Sequence, residues 1–365
     1  MSLVGILGGG QLARMLALAG HPLGLRLRVF DPSPDAPAKA MAEHVCAAWD
    51  DSVAIGHFCH GLDVATLEFE SVPLATAQAV AAHVRLAPSV RALAATQDRF
   101  VEKELARTLG IATTPFGRIE HAADVEHAIA LVGCPAVLKH RTLGYDGRGQ
   151  TVVQSVEEAR NVWHAGGERP SVLERLVTFD RELSLVAIRS TNGETAFYPL
   201  VENLHQDGIL RRTVAPAPRL GDGLAGEARR IATVLLDHLG YIGVITLEFF
   251  ECGGRLLLNE IAPRVHNSGH WSIEGAETSQ FENHVRAIVG LPLGSTSARS
   301  PAAMVNCIGV MPDRDAVLRI DGAHLHDYGK APRSGRKLGH VTVTATDAGA
   351  LDERLARVVA LCDRA

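Results

Sequence analysis

The chain has 365 residues, 47% of them apolar, and that length exceeds one ordinary core, predicting two or three domains of about 100 to 150 residues each. A formal net charge of −5 argues against a dedicated nucleic-acid surface, so an anionic ligand must be met by individually placed cations. Six cysteines without a CxxC pair, no basic and apolar leader, and no apolar run long enough for a membrane span predict reduced thiols in a cytoplasmic protein.

Residues 3–31 alternate strand, Gly-rich turn, helix and strand (LVGIL, GGG, QLARMLALAGHPL, LRLRVFD), which predicts a βαβ opening. A helix over 38–45 and a buried strand in DVATLEFE, ending near Glu70, extend the unit to about residue 95. Such alternation implies a parallel sheet with ligands at the carboxyl ends of its strands. The run Gly8-Gly9-Gly10-Gln11-Leu12-Ala13 follows a strand and opens a helix, where backbone N–H groups and the helix dipole hold anions. It also satisfies the dinucleotide pattern G-x-G-x-x-A, with Asp31 at the end of the next strand. That pattern alone is weak. His57, Cys59 and His60 lack further ligands nearby and read as helix or loop residues rather than a metal site.

A new helix over 98–109 opens a second unit, placed at 96–298. Within it, about 115–178 reads as a small α+β subdomain: a helix over 124–132, strands in PAVLKHR and QTVVQS around a Gly-rich turn, a helix over 156–164 and a strand in SVLERLV. Longer strands follow in RELSLVAIRS and ETAFYPLVE, then a helix over 224–239, a hairpin in VITLEFFECGGRLLLNEIAP and a helix over 279–289. The Ser- and Gly-rich stretch 292–301 reads as a linker to a third unit, 299–365.

The hairpin carries the most chemistry. If its strands pair around Cys252-Gly253-Gly254-Arg255, Glu248 and Glu260 fall nearly opposite on one face. Opposed carboxylates repel unless a cation lies between them, and Mg²⁺, an oxygen-seeking ion that arrives with substrate phosphates, is the simplest candidate. A plain amphipathic hairpin with solvent-facing glutamates fits the flanks less well, because the apolar Leu256-Leu257-Leu258 runs into Arg264, His266, Asn267, Ser268 and His270. Upstream, Gly144, Tyr145, Asp146, Gly147, Arg148, Gly149 and Gln150 form a glycine-rich turn five positions after Lys139. Glycines there admit phosphates close to the backbone, and the lysine adds a point charge. No Gly-Lys-Ser/Thr sequence enters a helix, so this is not a Walker loop. At a strand end, the backbone of Glu174, Arg175, Leu176 and Val177 offers groups that could read an adenine edge, and Glu182 a carboxylate that could accept ribose hydroxyls, a pattern that is uninformative by itself. The cations Lys330, Arg333, Arg336 and Lys337, four within eight residues of an acidic protein, favour a phosphate site over a solvated turn.

In this order the motifs resemble the ATP-grasp superfamily, in which a nucleotide lies between two α+β subdomains and paired acids hold Mg²⁺. More closely, GGGQLARM, TLEFESV, GYDGRGQ, NLHQDGIL, NEIAPRVHNSGHW and YGKAPRSGRKLGH, spread between residues 5 and 340, resemble the N5-carboxyaminoimidazole ribonucleotide synthetase family. The resemblance implies an α/β and α+β protein: an N-terminal parallel-sheet βαβ domain, a central ATP-grasp domain of two α+β subdomains and a small C-terminal domain. It implies ATP and Mg²⁺, with Mn²⁺ as a substitute, the substrates 5-aminoimidazole ribonucleotide and bicarbonate, and a homodimer that engages neither nucleic acid nor membrane.

By the same resemblance, Arg99, Lys139, the seven residues 144–150, Glu174, Arg175, Leu176, Val177, Glu182, His205, Asn259 and Glu260 bind ATP, and Glu248 and Glu260 bind the metal. Arg264, His266 and Asn267 stand where the family holds bicarbonate and carboxyphosphate, with Tyr145 closing over the intermediate. Gln11, Leu12, Glu68, Lys330, Arg336 and Lys337 meet the ribonucleotide, Lys330 being counted with the catalytic groups as well. Ala13 and Gly9 replace the Gly and Asn common in the family, and Arg175 replaces a smaller hinge residue. Rival readings are a formate-dependent glycinamide ribonucleotide transformylase of the same superfamily, a nicotinamide oxidoreductase built on the first glycine motif, and a non-catalytic nucleotide sensor. The HNSGH and HQDGIL strings favour bicarbonate over formate.

Overall fold

The computed structural model describes residues 2–144 and 149–363. The first unit contains β1 (Leu3–Leu7), α1 (Gln11–Gly20), β2 (Arg26–Phe30), β3 (Glu43–Val45), α2 (Ser52–Cys59), β4 (Val64–Leu67), α3 (Leu74–Ala81) and α4 (Val90–Thr96). Its strands form a parallel sheet in the order β3-β2-β1-β4. β1 is buried along its whole length, as expected of a central strand covered on both faces. The helix expected over 38–45 is instead a 3₁₀ turn, Pro37–Ala40, followed by β3. Ala38 N–H bonds Gly9 O at 2.8 Å, tying this stretch to the glycine turn, and β2 takes β3 as its outer partner.

Helix α5 (Arg99–Thr108), N-capped by Asp98, leads into β5 (Phe116–Ile119), α6 (Asp124–Val132), β6 (Ala136–His140), β7 (Gln150–Val153), α7 (Val156–Ala165) and β8 (Ser171–Arg175). These four strands form an antiparallel sheet, β5-β8-β6-β7, over a core that includes Ile119, Val125, Leu138, Trp163 and Leu173.

The remaining elements are β9 (Arg181–Arg189), β10 (Thr195–Phe197), β11 (Val201–Gln206), β12 (Ile209–Ala215), α8 (Leu224–Leu239), β13 (Gly243–Cys252), β14 (Arg255–Ala262), α9 (Ser272–Gly275), α10 (Gln280–Val289), β15 (Ala302–Ile308), α11 (Arg314–Leu318), β16 (Ala323–Asp327), β17 (Lys337–Thr344) and α12 (Ala348–Cys362). The strand expected across ETAFYPLVE is split into β10 and β11, because Pro199 has no N–H to continue a ladder. One large sheet runs β14-β13-β9-β11-β12-β15-β17-β16, with β10 on β9. The last three strands of the chain thus extend the sheet that carries the hairpin, through antiparallel β12–β15 pairing. Helix α8 buries its apolar stripe (Leu224, Ala228, Ile231, Leu235, Leu239) against one face of this sheet. Helix α10 packs on both β13 and the first unit. There His284 accepts Val244 N–H at 3.1 Å and meets Thr66 Oγ1 at 2.8 Å, bolting the two units together.

Candidate active site

The three sheets converge on a cavity of about 980 Å³. Sixteen of the sequence-predicted residues line it: Gln11, Leu12, Glu68, Arg99, Lys139, Gln150, Leu176, Glu182, His205, Glu248, Asn259, Glu260, Arg264, His266, Asn267 and Lys337. Tyr145, Asp146, Gly147 and Arg148 lie outside the described residues.

The hairpin turn has Gly253 and Gly254 at φ +56° and +76°, the left-handed pair that suits a two-residue hairpin. With Cys252 opposite Arg255, a regular ladder would set Asn259 against Glu248 and send Glu260 to the other face. A bulge between Glu248 and Phe249 corrects this: Phe249 pairs with Leu258 and Glu248 with Glu260, leaving Asn259 as the extra residue. Burial, with Glu260 and Glu182 adding to it against the opposing pull of His205, pushes the Glu248 carboxyl up to about 7. A carboxylate so strained electrostatically has a place for a cation. Among the described residues no group of three or more His, Cys, Asp or Glu gathers closely enough to hold a metal alone. Two acids with the remaining positions left to phosphate and water is the donor set that suits Mg²⁺, so these residues fit the ion. Arg99 Nη1 donates to Glu260 Oε2 at 2.6 Å, and His266 Nε2 lies 3.3 Å from Glu248 Oε1.

At one end of the cavity, Glu174 is not on the wall. Its carboxylate is buried beneath it, 3.1 Å from both Lys139 and Lys103, with Thr114 Oγ1 donating at 3.2 Å. Burial alone would raise this carboxyl, but the two ammonium groups override it and hold it at about 2. The expected backbone hinge is also narrower: Arg175 N–H is taken by Pro115 O and Leu176 N–H by Pro135 O, while Arg175 Nε binds Val132 O. Val177 N–H has no partner among the described residues. Glu182 accepts from His205 Nδ1 at 2.8 Å.

Sequence reasoning missed Lys103 and Glu102. Lys103 is buried and donates to Asn259 O at 3.2 Å, while Glu102 accepts Ile261 N–H at 3.0 Å. Burial, then Glu260, raises the Glu102 carboxyl to about 8. The signal was present in the spacing, since Lys103 is four residues after Arg99 and on the same helix face.

At the other end, Arg264 is paired with Glu70, Nη2 donating to Oε1 at 3.0 Å. Asn267 and Asn306 exchange amide hydrogen bonds at 3.1 and 2.5 Å. Burial and the Arg264 charge keep His266 far below its ordinary pKa, so the imidazole is neutral. Glu68 caps α1, accepting from Gly10 N at 2.5 Å and Leu12 N at 3.1 Å. A Cβ on Gly10 would sit 2.1 Å from Glu68 Oε1, which explains a glycine there. The anion site at this helix start is therefore occupied by the protein's own carboxylate. Asp31 accepts Gly9 N–H at 2.8 Å and Ser33 N–H at 2.7 Å, closing the turn rather than standing free for a ribose. Lys330 donates to Gln11 and rests over the Tyr328 ring, whereas Arg336 lies off the cavity wall with Nη1 on Ala331 O at 3.2 Å.

Comparisons with known proteins place this geometry. Family models of the ribonucleotide synthetase preATP-grasp domain, the ATP-grasp domain and the phosphoribosylaminoimidazole carboxylase C-terminal domain match residues 1–97, 104–281 and 302–354. The N5-carboxyaminoimidazole ribonucleotide synthase of Pseudomonas aeruginosa is 47% identical over 360 residues, 99% of each chain. The chain belongs to the N5-carboxyaminoimidazole ribonucleotide synthase family. A solved synthetase of that name from Thermus thermophilus superposes with a TM-score of 0.94 at 51% identity, covering 98% of both chains. A synthase from Aspergillus clavatus, solved with ADP and 5-aminoimidazole ribonucleotide, gives 0.92 at 32% identity over 100% of this chain and 99% of that one. The expected ATP-grasp fold with its preceding parallel-sheet domain and its C-terminal extension is borne out. No helix among the described residues is long and apolar enough to cross a membrane.

Proposed function

We infer that the chain is an ATP-dependent ligase that carboxylates 5-aminoimidazole ribonucleotide with bicarbonate, giving N5-carboxyaminoimidazole ribonucleotide, ADP and phosphate in purine biosynthesis. The observation that carries this reading is the Glu248–Glu260 pair at the centre of a cavity with a buried lysine at one end and the Arg264-His266-Asn267 cluster at the other. Bicarbonate is a poor electrophile, and transfer of the ATP γ-phosphoryl group to it yields carboxyphosphate, whose carbon, or the CO₂ it releases, the ribonucleotide amine attacks. Positioning and charge compensation do most of such work.

Glu248 and Glu260 would hold Mg²⁺, which would supply charge neutralisation at the transferring phosphoryl group. Lys139, fixed by Glu174, presents its ammonium to the nucleotide phosphates. Glu182, oriented by His205, takes the ribose hydroxyls. Arg264 offers a planar fork to a planar anion, and neutral His266 and the amide-locked Asn267 complete that anion's surroundings. Gln11, Lys330 and Lys337 serve the ribonucleotide end.

Coupled ADP release tests this reading. Turnover is expected only with 5-aminoimidazole ribonucleotide and bicarbonate together, and ADP released instead with glycinamide ribonucleotide and formate would overturn it.

A further inference from the structure

Arg264 enters the cavity with its guanidinium already half engaged. Glu70, on the loop after β4 in the first unit, takes its Nε and Nη2 edge, with Nη2 to Oε1 at 3.0 Å, and Val265 O takes one Nη1 hydrogen at 3.2 Å. The partners are 194 positions apart in sequence, and both line the cavity. Glu70 is itself fixed: Gln97 Nε2 donates to the Glu70 carbonyl at 2.7 Å and to that of Val72 at 2.8 Å, so the loop is tied to the end of α4. Of the five guanidinium N–H groups, one on Nη1 and one on Nη2 remain unclaimed by these contacts. A planar oxyanion bound by them would be coplanar with the fork and would find the arginine set in advance, which matters most for a ligand as small as bicarbonate.

We propose that Glu70 is a positioning residue for bicarbonate: it grips one edge of Arg264 so that the remaining N–H groups address the anion. This rests on the reading of the site as one that activates bicarbonate. Glu68, two residues earlier, caps the helix that carries Gln11. One short loop thereby ties the ribonucleotide end of the cavity to the bicarbonate end.

The experiment measures KM for bicarbonate, ATP and ribonucleotide, together with thermal midpoints, in the full-length enzyme and its Glu70→Gln and Glu70→Ala variants. KM for bicarbonate is expected to rise about tenfold in both while KM for ATP stays within about twofold, a split that loss of packing alone would not produce. A lowered bicarbonate KM in Glu70→Ala overturns the proposal, because it makes Glu70 a plug in the anion's place. A parallel rise in all three constants with a reduced midpoint also overturns it, reducing Glu70 to a structural tie. Wild-type ADP release that ignores bicarbonate would remove the function and this inference together. Wild-type dependence with an unmoved KM in the variants removes the inference alone.

Discussion

Two glutamates, one beneath the cavity wall and one lining it, have been driven in opposite directions. Glu174 lies between two lysines, and its carboxyl is held at about 2. Glu248 faces another glutamate across a bulged hairpin, and its carboxyl is raised to about 7. Burial works the same way on both, disfavouring charge, so the neighbours decide the outcome. Around Glu174 two ammonium groups of the chain outweigh burial and make the acid part of the scaffold, whereas around Glu248 the pull of His205 and Lys337 does not offset burial and the neighbouring acids, which on the proposed reading leaves the carboxyl for a cation that comes with the substrate. The active site is thus legible as the place where the fold leaves its electrostatics unfinished.

The largest effect that tests this contrast is on turnover. Glu248→Gln keeps the shape of the side chain and removes the charge, so kcat at saturating substrates is expected to fall about 100-fold or more, the scale for losing one preorganised electrostatic group. In the absence of Mg²⁺ the same variant is expected to be at least as stable as the parent, because it removes an unfavourable buried charge. A variant with parental kcat would show that the hairpin acids are not the metal site.

Glu174→Gln inverts the pattern. It leaves Lys103 and Lys139 buried without their counter-ion, and breaking one partner of a buried ion pair costs about 3–5 kcal/mol. Denaturant unfolding measures this loss, accompanied by a higher KM for ATP as Lys139 loses its anchor. An unchanged unfolding midpoint would show that the two lysines do not need Glu174.

The same contrast explains what the amino-acid sequence disclosed. Helices α6 and α8 matched their expected bounds because a strong 3.6-residue apolar period survives in any context. The Glu248–Glu260 pairing was expected, but the bulge that realises it was not visible, since nothing in Asn259 distinguishes an extra residue from a paired one. Glu174 read as one of the backbone contacts at a strand end, and its partner Lys103 was not singled out, because burial of charge depends on what packs above it. Glu70 and Arg264 belong to different units, and no local period links them. The stretch over 38–45 failed for a related reason: its alanines favour helix, yet the sheet edge and the Gly9 carbonyl claimed it. What a side chain prefers alone was readable. What distant partners impose on it was not.

The smallest expected effect is a pH dependence with opposite signs at the two glutamates. The folded chain keeps the Glu248 proton up to about pH 7, while the unfolded chain releases it near 4.5. Between those values the folded state binds more protons, so this group's contribution to stability is present below 4.5 and is lost as pH rises through 7. For Glu174 the folded value is about 2 against 4.5 unfolded, so its contribution is present above 4.5 and is lost as pH falls through 2. Other groups titrate in the upper window, Glu102 among them at about 8, so the decisive quantity is the difference between the parent and Glu248→Gln rather than either curve. Thermal midpoints taken from pH 5 to 8 without divalent ions should fall more steeply in the parent, by a few degrees, with the two curves converging toward pH 5. Adding Mg²⁺ with ADP at pH 8 should raise the parent's midpoint more than the variant's, because the variant keeps only one of the two acids proposed to hold the ion. Superimposable curves for the two proteins would mean that Glu248 does not carry the buried charge on which the comparison turns.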